Sequence, residues 1–350
     1  IRSVAAEEML RTRIKEAQIL LPQIKGGHMY GLGVVTPYFW APAPNYDLTL
    51  RPMLTTRQGP VADVEWRHAL ASGGYKIRGY GVRQMAREEP DDGQKFRGAL
   101  TTEGRFKIAD NWYWGWDGTV VSDKTFLRRY DFDDRDLATS QAYVVGIDGR
   151  NYVSAQALRF QTLLIEEDQD VMPAALPYVR ADYLFDQPVA GGELGLNTSV
   201  YSLTRNDPDY DFDLGTEQTR AVADLHWQRQ VINGLGQVVT PFASLRGDVF
   251  IADNVPGEVA DTETTGRVLP SAGIDMRWPF LAPHELGQNV LTPVVQVIAA
   301  ANETDIDKFG NEDAITINFD HTNLFLHDRF TGLDRYEGGT RANAGFVYSF

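Results

Sequence analysis

From Tyr30 onward the chain alternates apolar and polar positions with a period of two. Between Lys95 and Ile108 one side reads Phe96, Gly98, Leu100, Thr102, Gly104, Phe106 and Ile108, and the other reads Lys95, Arg97, Ala99, Thr101, Glu103, Arg105 and Lys107. A pleated strand sends such sets to opposite faces, one greasy or small and one densely charged. Ala62, Val64, Trp66 and Leu70 alternate in the same way with Asp63, Glu65 and Arg67. So do Val179, Ala181, Tyr183 and Phe185 with Arg180 and Asp182, and Ile274, Met276 and Trp278 with Asp275 and Arg277. The runs are roughly 10 to 15 residues long, about twice a typical soluble strand, and a tilted bilayer crossing needs about 9–11. Aromatic residues near their ends, Tyr38, Phe39 and Trp40, Trp112 and Trp114, Trp227, and Trp278 with Phe280, suit interfacial girdles.

The connections carry a second pattern. Tight-turn sequences stand at Ser72-Gly73-Gly74, Asp110-Asn111, Asp148-Gly149, Ala190-Gly191-Gly192 and Asn233-Gly234. Between them lie longer acidic segments, Glu88 to Gln94, Ser122 to Ala138, Glu166 to Pro173, Asn206 to Thr216, Asp253 to Gly266 and Asn302 to Asp313. In an up-and-down meander every second connection lies at the same end, so short turns collect at one end and long loops at the other. The expected fold is all-β, an antiparallel up-and-down transmembrane β-barrel of roughly 15 or 16 strands. Residues 1–28 differ: Val4, Ala5, Met9, Ile14, Ala17, Leu20 and Leu21 among charged residues predict a short amphipathic helix that stops near Pro22 and Gly26-Gly27. The expected division is therefore a helical or foreign segment over 1–28 and an outer-membrane β-barrel domain over 29–350.

Composition narrows the chemistry. The 350 residues carry 33 Lys and Arg against 48 Asp and Glu, a net charge of −15, so no basic face advertises nucleic-acid binding. With 43% hydrophobic residues the chain can bury a core. It has no cysteine, which removes disulfides, thiolate zinc sites and cysteine nucleophiles together. No apolar run reaches the length of a membrane helix, which leaves barrels untouched. There is no P-loop and no Gly-x-Ser-x-Gly elbow, and His284-Glu285 lacks the second histidine of a zinc-protease helix. Asp207, Asp209, Asp211 and Asp213 lack the glycine and closing glutamate of a calcium loop and read as a solvated segment. No catalytic, metal or cofactor site is expected.

Arg83, Arg97, Arg105, Arg180, Arg246 and Arg277 present forks suited to an anionic amphiphile. The simpler account pairs them with the interleaved Asp63, Glu65, Glu103, Asp182, Asp248 and Asp275 along a watery lumen. The expected lumen-facing set is Asp63, Glu65, Arg67, Arg97, Glu103, Arg105, Arg180, Asp182, Asp275 and Arg277. Pro37, Pro52, Pro241, Pro270 and Pro293 fall inside or at the start of strand-like runs, where each removes one ladder donor. The final residues, with Phe346, Tyr348 and Phe350, have the pattern of a bacterial barrel's terminal insertion signal.

Pro37-Tyr38-Phe39-Trp40-Ala41-Pro42-Ala43-Pro44-Asn45-Tyr46-Asp47-Leu48-Thr49-Leu50 with Pro52 closely resembles the barrel of the lipopolysaccharide-assembly outer-membrane proteins, the LptD family. Thr125 to Tyr130, Leu269-Pro270, Leu291-Thr292-Pro293 and Asp328 to Arg335 are further matches. The resemblance spans about residues 30–341 and does not include 1–28. It implies a bacterial outer-membrane location and a non-enzymatic role in lipopolysaccharide transport. It also implies contact with membrane lipid, an LptE-type plug lipoprotein and a periplasmic LptA-type bridge protein. Of the family's lateral-gate prolines it assigns Pro37 and finds no earlier counterpart. The family's jelly roll and cysteines are missing, which suggests part of a larger barrel. Two other readings remain open, a passive outer-membrane porin and an outer-membrane hydrolase.

Overall fold

The computed structural model describes residues 17–85, 96–258, 262–285, 287–304, 306–315 and 319–350. Alternation becomes antiparallel sheet along nearly all of this length. The strands are β1 (Gln18–Ile19), β2 (Gln23–Gly27), β3 (Gly31–Val35), β4 (Tyr38–Ala43), β5 (Tyr46–Leu50), β6 (Met53–Thr55), β7 (Gly59–Leu70), β8 (Gly73–Arg83), β9 (Phe96–Ala109) and β10 (Trp112–Val121). After the single-turn helix α1 (Phe126–Arg129) come β11 (Leu137–Asp148), β12 (Asn151–Thr162), β13 (Ala174–Leu184), β14 (Glu193–Thr204), β15 (Glu217–Gln228) and β16 (Val231–Ile232). The last are β17 (Val238–Asp253), β18 (Thr262–Arg277), β19 (Phe280–His284), β20 (Gly287–Ala300) and β21 (Gly339–Ser349). No described helix is long and apolar enough to cross a membrane. The fold is the all-β, up-and-down antiparallel sheet of the β-barrel class.

Five ribbons are each broken into two strands, so among the described residues 21 strands make 16 ribbons, in line with the expected number. Proline accounts for the interruptions. In an antiparallel hydrogen-bonded pair the two residues exchange two N–H···O bonds. Leu20 N donates to the Pro37 carbonyl at 2.9 Å and Thr36 N to that of Pro52 at 3.1 Å, and neither bond can be returned because proline has no N–H. The same half-made pair recurs at Arg229 and Pro241, Trp278 and Pro293, and Ala301 and Pro270. All five prolines marked in the sequence thus sit in the ladder as acceptors only.

The helix expected within residues 1–28 is corrected where the structure describes it. Gln18–Ile19 pairs with Phe39 and Tyr38, and Gln23–Gly27 pairs with Val35 to Gly31. Leu20 and Leu21 are 43% and 88% exposed, so these two residues of the expected helix's stripe are not buried as one. Pro22 blocks a helix there, and an available partner edge decides the structure over local propensity. Residues 1–16 lie outside the described residues, as does the expected loop over 88–94.

Short connections at 71–72, 110–111, 149–150, 185–192, 233–237 and 285–286 alternate with 122–136, 163–173, 205–216 and 301–338. The first two connections on the long-loop side, 28–30 and 56–58, are short as well. The chain divides into two compact units, residues 1–146 with 155–175 and residues 147–154 with 176–350. In each, burial is inverted relative to a soluble protein. β7 buries Asp63 and Glu65 and exposes Ala62 and Val64; β17 buries Arg246 and Asp248 and exposes Leu245, Val249 and Ile251. Polar groups face inward in pairs while aliphatic groups face outward, as a lipid-facing sheet requires.

In the first unit a buried apolar cluster forms on the polar side of the sheet at the long-loop end. Phe126, Leu127 and Tyr130 of the 122–136 segment fold back there onto Tyr30, Val61, Val82 and Val121.

Candidate functional site

The polar face of the first unit is a chain of ion pairs. Asp63 accepts from Arg78 Nε and Nη2 at 2.8 and 2.7 Å, and Arg51 reaches both Asp63 and Glu65 at 3.5 and 3.4 Å. Arg67 donates to Asp47 at 2.9 Å, Lys76 pairs with Glu103 at 2.8 Å, and the Arg105 guanidinium lies 4.7 Å from the Tyr113 ring centre. Glu65, Arg67, Glu103 and Arg105 line one cavity of about 840 Å³ with Lys76 and Asp117. Arg83, at the other end of β8, stacks on Phe96.

Arg97 stands apart from this chain. Its Nε donates to Asp123 at 2.7 Å, its Nη2 contacts the other carboxylate oxygen, and Nη2 also donates to Thr125 at 2.6 Å. Burial alone would push the Asp123 carboxyl up. The Arg97 hydrogen bonds and charge, with Ser122 Oγ and the Thr125 amide, overcome that and hold it at about 2. Arg97 thereby anchors the foot of the 122–136 segment, and its guanidinium lies 5.8 Å from the Phe126 ring centre.

In the second unit Arg180 pairs with Asp182 at 3.0 Å and Asp275 lies 3.6 Å from His327, whose ring stacks on Phe242 at 3.8 Å. Arg277 and Asp275 line a cavity of about 1170 Å³ at the short-turn end. Arg180 and Asp182 line another, of about 530 Å³, between the sheet and the 301–338 segment.

That segment is the largest feature sequence reasoning missed. Its described parts, 301–304, 306–315 and 319–338, run as a strap along the polar face, held by side chains that are almost wholly buried. Arg220, 1% exposed, contacts Asp334 and donates to Asp313 at 2.9 Å, and its guanidinium stacks 4.2 Å from the Tyr201 ring centre. Tyr201 Oη donates to Asp334 at 3.2 Å and accepts from Gln218 at 2.7 Å. The second Asp334 oxygen accepts the amides of Glu312 and Asp313 at 2.7 and 3.0 Å. Arg205 Nη2 donates to both Glu312 oxygens at 2.6 and 2.7 Å. Arg246 and Arg267 share Asp248, both reach the Leu333 carbonyl, and Arg267 also pairs with Glu303. Burial raises the Asp334 carboxyl and outweighs Arg220. Asp313, also pushed up by burial, is brought below its usual range by Arg220 and the amides of Leu333 and Asp334. Among the described residues no group of three or more histidines or carboxylates is arranged to hold a metal.

The opposite face is apolar and carries the aromatic residues. Register puts Trp66, His68, Tyr75, Gly104, Phe106, Trp114 and Trp116 on one side near the 71–72 and 110–111 turns. Phe106 stacks between Trp114 and Trp116 at 5.2 and 5.8 Å, and the Trp116 ring covers Gly104 so closely that a Cβ there would lie 2.5 Å from it. Trp278 and Phe280 pack at 4.9 Å, and Trp227 Nε1 donates to the Val189 carbonyl at 2.8 Å. Indole and phenol groups with one greasy and one wet side suit the bilayer interface.

Pro37 lies between β3 and β4 and Pro52 between β5 and β6. By register the breaks at 20–22, 36–37 and 51–52 fall side by side across three neighbouring ribbons. The outcome is a transverse seam of missing ladder bonds at the start of the sheet.

Comparison with known proteins agrees with this anatomy. An LPS-assembly protein LptD of Actinobacillus pleuropneumoniae serotype 5b is 23% identical over 96% of this chain, an alignment that reaches into residues 1–28, and over 45% of its own length. Those of Nitrosococcus oceani and Hahella chejuensis are 26% and 25% identical over 92% and 91% of this chain and 43% and 41% of their own. The chain thus spans less than half the length of these relatives. A solved bacterial polysaccharide outer membrane secretin covers 91% of the chain at 11% identity and a TM-score of 0.32, too low to bear on the fold. The family model described as LPS transport system D matches residues 95–350, so the chain belongs to the LptD family of outer-membrane proteins.

Proposed function

We propose that this chain conducts lipopolysaccharide to the outer leaflet. The glycolipid arrives from a periplasmic LptA-type bridge, its saccharide moves along the ionic face, and its acyl chains leave sideways through the proline seam. An LptE-type lipoprotein would fill the space that the polar face borders. The lumen-facing residues are the paired carboxylates and guanidiniums described above; of those expected from the sequence, Asp63, Glu65 and Arg97 are the buried ones.

The observation that carries this reading is the set of aligned breaks at Pro22, Pro37 and Pro52 in a sheet polar on one face and apolar on the other. An amphiphile needs both surfaces at once and a ladder weak enough to part between them.

Replacing Pro37 by valine restores a donor opposite Leu20 and completes that rung. In the full-length protein Pro37→Val is expected to strengthen the seam and slow the appearance of newly made lipopolysaccharide at the cell surface. Delivery at the wild-type rate with normal amounts of folded protein would remove Pro37 from the gate.

A further inference from the structure

In the ion pairs that join the strap to the sheet, the cations come from the sheet and most of the carboxylates from the strap. Arg205, Arg220, Arg246 and Arg267 come from β14's end, β15, β17 and β18, and their side chains are 1–5% exposed. One carboxylate of the network, Asp248, belongs to the sheet. The other four, Glu303, Glu312, Asp313 and Asp334, all belong to the strap. Lifting the strap would leave four guanidiniums with Asp248 and Asp224 as their sheet carboxylates, a local excess of positive charge that attracts anions.

The row also holds more donors than the strap uses. Nε of Arg205 and Nε of Arg220 are buried without hydrogen-bond partners. Carboxylates offer two oxygens in a plane, whereas a phosphate offers three in a tetrahedron and matches arginine forks at least as well. The four strap carboxylates meet the row through charge-assisted contacts, the kind of contact a competing polyanion can replace.

We propose that this arginine row is a binding site for a multiply phosphorylated saccharide, and that the strap's four carboxylates occupy it as a built-in stand-in until such a ligand displaces them. The inference rests on the transport reading for the identity of the saccharide, and on geometry alone for the anion site. The strap closes the polar face at rest and yields to cargo of the right charge.

The test uses the full-length protein, inorganic tripolyphosphate as the simple anion, and lipopolysaccharide with and without its phosphates. Glu303→Gln with Glu312→Gln removes two of the competing charges while leaving Asp313 and Asp334 to hold the strap's own backbone. This double variant should bind tripolyphosphate about tenfold more tightly than wild type, and adding Arg205→Gln should cancel the gain. In the wild type, saturating tripolyphosphate should speed hydrogen exchange of strap amides. Equal affinity in variant and wild type, or strap protection unchanged by saturating anion, would overturn the proposal. Where the variants fail to fold, the wild-type exchange measurement decides alone. Phosphorylated lipopolysaccharide should open the strap and the dephosphorylated form should not. If tripolyphosphate opens it and neither lipopolysaccharide form binds, the anion site stands and the transport reading falls.

Discussion

Arg97 and Asp123 show how much a single pair can hold. The arginine is 3% exposed and the carboxylate 13%, so removing the acid strands a buried guanidinium. Asp123→Asn is expected to destabilise the protein by about 3 kcal/mol and to loosen the 122–136 segment first, read as faster hydrogen exchange at Phe126 to Tyr130. The pair also has a pH signature. Because the folded pKa, about 2, lies below the unfolded value near 3.8, the unfolded chain takes up the proton first as pH falls. The stabilisation is complete above about pH 4 and vanishes through about pH 2. The stability gap between wild type and Asp123→Asn should therefore narrow across that window; a constant gap would mean that the carboxylate's charge is not what matters. Arg97 was legible in the sequence as a member of the charged set of its strand. Its partner was not, because Asp123 lies in a loop whose acidic residues resemble any solvated segment.

At the scale of strands and turns, the close approach of neighbouring ribbons makes particular glycines obligatory. A Cβ on Gly73 would lie 2.0 Å from the Arg105 carbonyl oxygen and 2.8 Å from Phe106 Cα, both backbone atoms of β9 that cannot swing aside. At Gly81, further along the same strand, a Cβ meets nothing within 4 Å. Gly73→Ala should cost about 1–3 kcal/mol, whereas Gly81→Ala should be neutral or slightly stabilising. Denaturant unfolding of both variants checks the contrast, and similar losses would refute it. Strand positions were readable because period-two alternation in β7, β9 and β18 reports burial directly. Residues 18–21 misled because Leu20 and Leu21 resemble the end of a helical stripe until a partner edge is supplied. The five acceptor-only prolines were visible as oddities, and the register explains them.

For the molecule as a whole, the decisive property is that its aliphatic face looks outward. Leu245 is 51% exposed in the middle of β17, with Leu225 and Pro270 opposite it on the two neighbouring strands. In water an exposed leucine exchanged for arginine changes stability within about 0.5 kcal/mol, but a lipid-facing position near the bilayer centre loses about 2–4 kcal/mol. Leu245→Arg, unfolded from phospholipid vesicles, is expected to show the larger loss, and a negligible effect would contradict the membrane placement. Much of the charged face could be listed from sequence, Asp63, Glu65, Arg180 and Asp275 among it. The strap could not be placed, since Glu303, Glu312, Asp313 and Asp334 acquire partners only when residues far apart in the chain meet. The resemblance singled out Asp328 to Arg335, and only the fold shows why Asp334 belongs there.

The unreturned rungs at Leu20 and Thr36 have a further consequence for the surrounding lipid. A carbonyl deprived of its strand donor within hydrocarbon has one ready substitute, a water molecule. The seam would then be a line of local hydration in an otherwise dry wall, drawing headgroups inward and thinning the leaflet beside it.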